Sequence, residues 1–287
     1  MKTRHFFAIA VTVAAIAGAS ALEWPVAEVR PTRFFGQRAE RRIERGVTLE
    51  NADIVRSAGN GTLVFSMEQN RNMSGFPGTL GNAVIIAHDD SLLSVYGNLD
   101  SLERLEARTM VETGTILASA GTSGWTKRGT LLFQVVDQER KTMLNPLLVL
   151  PSRPDTRGPS IKNVIAVAAN NQIALLGSAR YIRQGKYRLY ADILDTIDGS
   201  QIALAPFRVS VLLNGTECMT IPFEVLKEKD GKLYLDSPEY TSETLYSDPD
   251  RMYLGTLTMN RGRADIAIIA RDTAGNERSV LFSLQVE

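Results

Sequence analysis

Histidine and cysteine are the usual zinc ligands in proteins, and histidine carries much of the proton chemistry near neutral pH, but this sequence contains few of either. It has one cysteine, Cys218, and two histidines, His5 and His88. His88 is followed by Asp89 and Asp90, and its imidazole could bind a metal or move a proton near pH 7. A catalytic zinc, however, needs three protein ligands and a bound water. His88 alone cannot build a two-histidine site.

The sequence also lacks the residue patterns that nucleophilic catalysis needs. A serine triad would have to use His88, and no Gly-x-Ser-x-Gly elbow precedes a predicted helix. A cysteine–histidine pair would have to join Cys218 to His88 across the two halves of the chain. No glycine-rich phosphate loop stands between a strand and a helix. We therefore interpret His88 as a hydrogen-bonded structural histidine at a strand end.

The segment around His88 is a series of short apolar runs. Residues 81–88, 94–99 and 129–135 are rich in valine, isoleucine, leucine and phenylalanine, and glycine, asparagine or aspartate bounds them. This pattern predicts short buried β-strands joined by tight turns. Residues 67–81 are polar and glycine-rich, which predicts a loop. Residues 99–108 predict a short helix or turn.

Composition and the N-terminal segment favour an exported, globular chain. The sequence has 287 residues, 44% hydrophobic and 22% charged, with a net charge of zero. This length allows two domains, and the balanced charge argues against a nucleic-acid partner. A positive start, an apolar run at 6–18 and a small-residue site at 19–21 predict a signal peptide over residues 1–21, with export to the periplasm or cell envelope. The alternative is an uncleaved anchor, although the run is short for a bilayer span. We expect no integral membrane span after cleavage.

The second half of the chain changes character. Proline and glycine among charges predict a linker at 152–160. Beyond it, hydrophobicity alternates with period two in several segments, which predicts an immunoglobulin-like β-sandwich domain over residues 161–287. The clearest alternating segments are 187–193, 207–213, 264–270 and 279–286.

Two further side chains in this half invite interpretation. Cys218 is expected to pack as a small hydrophobic residue. Asp272, in the turn Asp272-Thr273-Ala274-Gly275-Asn276, could bind calcium, but one carboxylate is too few for a cation site. We interpret Asp272 as a turn residue whose side chain bonds nearby backbone.

The order of several motifs in the first half is characteristic. Phe35-Gly36-Gln37-Arg38 begins the series, the glycine–asparagine strand at 81–88 follows, and Asn145-Pro146 ends it. Between them, glycines punctuate residues 111–114 and 121–124. In this order and spacing, residues 22–151 resemble a lysostaphin/LytM-type zinc metallopeptidase domain. The resemblance implies an all-β fold, with an antiparallel sheet of the duplicated-hybrid-motif kind.

The resemblance also implies where zinc would bind, and those positions hold other residues. Glu44 and Thr48 stand at the ligands of the family's His-x-Gly-x-Asp motif. Leu132 stands at the second histidine of its His-Leu-His-Phe-Glu-Val strand. Leu132 has no lone pair, Thr48 is a neutral and poor ligand, and a lone carboxylate from Glu44 does not hold zinc.

The family's remaining catalytic histidines are also replaced. Asn98 stands in the Tyr-x-His-Leu motif, here Tyr96-Gly97-Asn98-Leu99, and Thr130 stands at the first histidine of the last strand. Neither side chain moves protons near neutral pH. We therefore expect an inactive homologue of a zinc metalloendopeptidase that has no catalytic residue, no metal and no cofactor.

Inactive members of this family are known as activators of cell-wall amidases. The resemblance thus implies an envelope protein whose zinc-less groove binds a peptidoglycan hydrolase or a wall peptide. Expected lining residues are Arg38, His88, Tyr96 and Asn98, with the 67–81 loop. Two alternatives remain open: an active peptidoglycan metalloendopeptidase with unaligned ligands, and a purely structural envelope scaffold.

Overall fold

A computed structural model describes residues 22–39, 42–68, 78–102, 110–124 and 127–287, and they are almost entirely β structure. The first half contains β1 (Pro31–Arg33), β2 (Arg38–Ala39), β3 (Arg42–Ile43), β4 (Val47–Leu49), β5 (Val55–Arg56), β6 (Gly61–Met67), β7 (Asn82–Ala87), β8 (Leu92–Leu99), β9 (Met110–Val111), β10 (Ile116–Ala118), β11 (Leu131–Asp137), β12 (Thr142–Leu144) and a 3-10 turn at Pro146–Leu148. The second half contains β13 (Ser160–Ala168), β14 (Ile173–Leu175), β15 (Tyr181–Ile182), β16 (Gly185–Leu194), β17 (Arg208–Leu213), β18 (Thr216–Pro222), β19 (Val225–Lys229), β20 (Lys232–Leu235), helix α1 (Ser242–Leu245), β21 (Met252–Met259), β22 (Gly262–Arg271) and β23 (Glu277–Val286). The all-β prediction is confirmed.

Two predictions fall mostly on residues outside this description. The helix or turn expected at 99–108 begins where β8 ends, and 103–109 are not described. Most of the loop expected at 67–81 is likewise outside the described residues. Among the described residues, no helix is long and apolar enough to span a bilayer.

The first sheet is built on the three apolar runs that the sequence identifies. Its order is β20-β19-β12-β11-β8-β7-β6-β9, with β4 also paired to β11 and β1 to β4. Strand β11 alternates, because Leu131, Phe133 and Val135 are fully buried while Leu132 and Gln134 point to the opposite face. The ring of Tyr96 on β8 packs on Phe133 with centroids 5.3 Å apart. This packing fixes the faces of β8 and β11 and so positions the candidate site.

The second half forms two sheets that pack face to face. One has the order β14-β13-β16-β21 and the other β15-β23-β22-β17-β18. They meet closely where Met219 of β18 lies against Gly255 of β21, leaving no room for a side chain at Gly255. This arrangement is consistent with the predicted immunoglobulin-like sandwich.

The two halves share one sheet, which the predicted boundary at 152–160 does not anticipate. The β19–β20 hairpin of the second half extends the first sheet, since Met143 on β12 pairs with Leu226 on β19. Phe223 packs on Gly36, whose φ is +78°, and a Cβ at Gly36 would lie 2.4 Å from the Phe223 ring. The Tyr246 hydroxyl donates to the Gly36 carbonyl at 2.7 Å. The Phe-Gly motif therefore serves as a docking point for the second half.

Cys218 differs from its prediction. It lies on the edge strand β18 and is exposed, and its Sγ is 3.3 Å from the Thr216 carbonyl oxygen. The burial expected of a small apolar side chain fails here because β18 ends the sheet and one of its faces meets solvent.

Candidate functional site

The three residues that the resemblance aligns with zinc ligands lie together. Thr48 on β4 and Leu132 on β11 are direct cross-strand partners, so their side chains share one face of the sheet. The Thr48 hydroxyl donates to Oε2 of Glu44 at 3.3 Å. The fold thus brings Thr48 and Leu132, which are far apart in sequence, to one face of the sheet.

A groove of about 330 Å³ opens over this cluster, and we call it the Glu44–Leu132 groove. Its lining consists of Arg33, Ala39, Arg42, Ile43, Glu44, Arg45, Thr79, Leu80, Leu132 and Gln134. Three arginines face one buried carboxylate in this set. The groove therefore has a net positive lining, which favours acidic ligands.

Glu44 is the one acid among the described residues that line the groove, and burial has the largest effect on its pKa. Desolvation raises the pKa of its carboxyl group above the usual value. The backbone N–H of Arg45, which donates to Oε1 at 3.1 Å, and the Arg33 guanidinium, 4.0 Å from Oε2, oppose the rise only in part. One carboxylate, one hydroxyl and one aliphatic side chain do not fit zinc, which takes three nitrogen, sulfur or carboxylate ligands.

A Glu44→Gln variant should gain stability only where the wild-type carboxyl is ionised. Because the pKa of the Glu44 carboxyl is higher in the folded than in the unfolded chain, the protonated carboxyl favours folding. This contribution is complete below the ordinary carboxyl pKa of about 4.3 and is lost as pH rises through the folded-state pKa, where the buried group ionises. We expect Glu44→Gln to melt at a higher temperature than wild type at pH 7.5 and at an equal temperature at pH 4. Calorimetric melting at both pH values, with the exposed Glu112→Gln as control, measures this. An equal gain at both pH values would show that burial of charge is not the cause.

Asn98 is a fully buried structural residue. Its φ is +60°, and its side-chain amide nitrogen donates to the carbonyls of Thr130, Gly121 and Lys127 at 2.7, 3.2 and 3.3 Å. Its Oδ1 accepts from the Gly124 N–H at 2.8 Å. Asn98 thus ties the segment after residue 120 to β8, with its amide fully occupied.

His88 and Tyr96 belong to a hydrogen-bonded chain. His88 Nδ1 lies 2.7 Å from the Asn60 carbonyl oxygen, and Nε2 lies 2.8 Å from Ser94 Oγ. Ser94 Oγ donates to the Tyr96 hydroxyl at 3.0 Å, which also accepts from the Ala58 N–H at 2.7 Å. Burial raises the pKa of Tyr96 to about 12. Both His88 nitrogens are engaged, as expected of a structural histidine.

These placements correct the expected lining of the groove. Arg38 points to the second half, where its guanidinium donates to the carbonyls of Pro249 and Asp248 at 2.8 and 3.4 Å. Tyr96 and Asn98 are buried, and none of the four expected residues borders the described groove. The alternation of residues 131–135 was the signal that could have identified Leu132 and Gln134 instead.

Comparison with known proteins identifies the family of the first domain. The model for peptidase family M23 matches residues 42–146, and a second family model matches residues 158–287. A protein of Treponema pallidum (strain Nichols) is 34% identical over 124 residues, covering 39% of this chain and 84% of its relative. Residues 42–146 are a peptidase M23 domain of the LytM type, and the chain belongs to that family, with a second domain following.

Several solved structures match this chain. The SpoIIQ–SpoIIIAH pore-forming complex matches at a TM-score of 0.36 and 18% identity, over 46% of this chain and 92% of that one. A mutant catalytic domain of the prophage-encoded M23 protein EnpA from Enterococcus faecalis matches at 0.37 and 19%, over 45% and 96%. Lysostaphin from Staphylococcus simulans matches at 0.35 and 14%, over 89% and 94%.

Proposed function

We propose that this chain is an exported, non-catalytic M23 protein of the cell envelope that binds a peptidoglycan hydrolase in the Glu44–Leu132 groove and regulates it. One observation carries the proposal. Glu44, Thr48 and Leu132 converge at the ligand positions of a recognisable M23 scaffold, and their side chains are the wrong donors for zinc.

The surrounding side chains support binding rather than bond cleavage. Peptide hydrolysis by this family type needs an activated water and groups that exchange protons near neutral pH. The Asn98 side-chain amide donates to backbone carbonyls, and the Thr130 hydroxyl donates to the carbonyl of Lys127. Neither side chain titrates near neutral pH, so these two positions supply no proton relay.

The charge of the groove points to the kind of partner it accepts. Arg33 and Arg45 are exposed at its rim, and Arg42 joins them in the lining. Guanidinium groups bind carboxylates in a bidentate, charge-assisted manner. An acidic surface of a hydrolase fits this lining best, and a wall peptide with free carboxylates is the second choice.

The test is muropeptide release from purified sacculi. A periplasmic extract of the source cells is assayed with and without the purified chain from Leu22 onward, and the chain alone is the control. The proposal predicts greater release only when extract and chain are combined. Unchanged release would contradict a regulatory role and favour a structural one.

A charge reversal in the groove links the effect to this surface. Arg45→Glu should lower the stimulation about tenfold at limiting protein, because a repulsive charge at an interface slows association and weakens binding. Arg278→Glu, an exposed reversal in β23 of the second half, should leave it unchanged. Equal losses in both variants would place the interaction elsewhere.

A further inference from the structure

Three carboxylates from distant parts of the second half meet at the junction between the halves. Asp155 lies in the segment between the two domains, Asp195 directly follows β16, and Asp272 directly follows β22. Their carboxylate oxygens all lie within 4.8 Å of one another. Asp195 and Asp272 are 3% and 2% exposed.

Within the described part of the chain, Arg153 lines the cavity beside the cluster, and its guanidinium donates to the Val29 carbonyl oxygen at 2.7 Å rather than to a carboxylate. In this part of the chain, none of the three carboxylates forms an ion pair within 4.0 Å. Burial and the nearby Asp272 and Asp155 carboxylates raise the pKa of Asp195 to about 7. Carboxylates that are buried together without a positive partner are costly, and such groups are normally paired or coordinate a metal.

The hydrogen bonds leave one side of the cluster open. Asn276 donates its backbone N–H and its side-chain amide to the two Asp272 oxygens, both at 2.8 Å. Asp155 Oδ1 accepts two backbone N–H groups, from Asp198 and Arg157, at 3.1 and 3.2 Å. These contacts orient both carboxylates and leave their further lone pairs available.

Asp195 provides the independent sign of a ligand. Its Oδ1 accepts the Thr196 N–H at 2.9 Å, whereas its Oδ2 accepts no hydrogen bond from any described residue. The side chain is almost fully buried, and with Asp155 it lines a cavity of about 40 Å³. A carboxylate oxygen without a donor, on a buried residue and beside a cavity that is large enough for an ion, calls for a positive partner.

We propose that Asp155, Asp195 and Asp272 bind a calcium ion that fixes the interdomain segment to the second domain. Three oxygen donors without nitrogen or sulfur suit a hard cation. Calcium–oxygen distances of about 2.3–2.6 Å accommodate oxygens up to about 5 Å apart, whereas magnesium at about 2.0–2.1 Å requires a tighter set. Trp24 and Phe34 of the first half line the same cavity, so the ion would also steady the contact between the halves. The inference does not depend on the proposed function.

The test uses the full chain from Leu22 onward, treated with EDTA and titrated calorimetrically with calcium chloride. One ion should bind per chain, and the melting temperature should rise with calcium concentration. Asp195→Asn should weaken calcium binding at least tenfold and abolish the calcium-dependent rise, while melting in EDTA at or above the wild-type temperature. That last result shows that the variant folds. Asp230→Asn, at an exposed turn with φ +54°, is the matched control and should bind calcium as wild type does.

Two results would overturn the inference. One is the absence of both binding heat and a melting shift for wild type at millimolar calcium, which would mean that a proton shared among the carboxylates is the partner instead. The other is an unchanged calcium affinity in Asp195→Asn. Magnesium chloride should bind more weakly, and equal affinity would contradict the choice of calcium.

Discussion

The triple variant Glu44→His, Thr48→Asp and Leu132→His is expected to bind zinc. Thr48 and Leu132 are cross-strand partners, and Glu44 already contacts Thr48, so two imidazoles and one carboxylate would converge on one point. Such a set supplies the three protein ligands of a catalytic-type zinc site. Zinc affinity should rise on the order of 10³-fold over wild type, into the micromolar range or tighter. Competition titration with a chromogenic chelator measures the change.

The double variant Glu44→His and Thr48→Asp is the matched control. It lacks the ligand on β11 and should gain little affinity, because two ligands leave the ion largely hydrated. Zinc binding of equal strength in the double and triple variants would show that Leu132 does not face the site. No gain in the triple variant would show that these positions are not the former ligand set.

The second large effect is expected from Asn98→Ala. The change removes the side-chain bonds of Asn98, takes their Asn98 partner from the Gly124 N–H and the Thr130 carbonyl, and places alanine at a φ of +60°. The Gly121 and Lys127 carbonyls keep other donors, from Gly129 and Thr130. Unsatisfied buried groups cost about 1–3 kcal/mol each, and left-handed backbone adds about 1 kcal/mol. Partial relaxation should leave a loss of about 3–5 kcal/mol in the free energy of unfolding, or about 10 °C in melting temperature.

Asn163→Ala separates the two causes of this loss. Asn163 is also left-handed, with a φ of +48°, but it is exposed. Its substitution carries the backbone cost without the buried hydrogen bonds, and we expect a loss of about 1 kcal/mol. Comparable losses at Asn98 and Asn163 in urea unfolding would contradict the role of Asn98 as an anchor for the segment after residue 120.

The sequence predicts the strands that local pattern controls. Strands β7, β8 and β11 lie where apolar runs between turn residues place them, because strand side chains alternate and tight turns need few residue types. The motif resemblance singles out Glu44, Thr48 and Leu132, and the fold brings the three side chains together. Each of these features depends on neighbours close in the chain or on an ordered set of motifs.

Contacts between the halves could not be predicted in the same way. The sequence predicts that Arg38 lines the groove, but its guanidinium donates to the carbonyls of Asp248 and Pro249. The sequence predicts that Asp272 is an isolated carboxylate in a turn, whereas the fold places Asp155 and Asp195 beside it. The β19–β20 hairpin gives no sign in sequence that it will join the first sheet. Such pairings follow from how whole sheets pack, which local periodicity does not encode.

The most direct test of the central claim is muropeptide release from purified sacculi by the purified wild-type chain alone, with zinc supplied. The side chains at the former ligand positions predict release no greater than that of sacculi incubated without protein. The Glu44→Gln variant should behave identically, since the proposed non-catalytic role gives that carboxylate no catalytic step. Release well above this background, accompanied by one bound zinc per chain, would contradict the account and identify an active metalloendopeptidase.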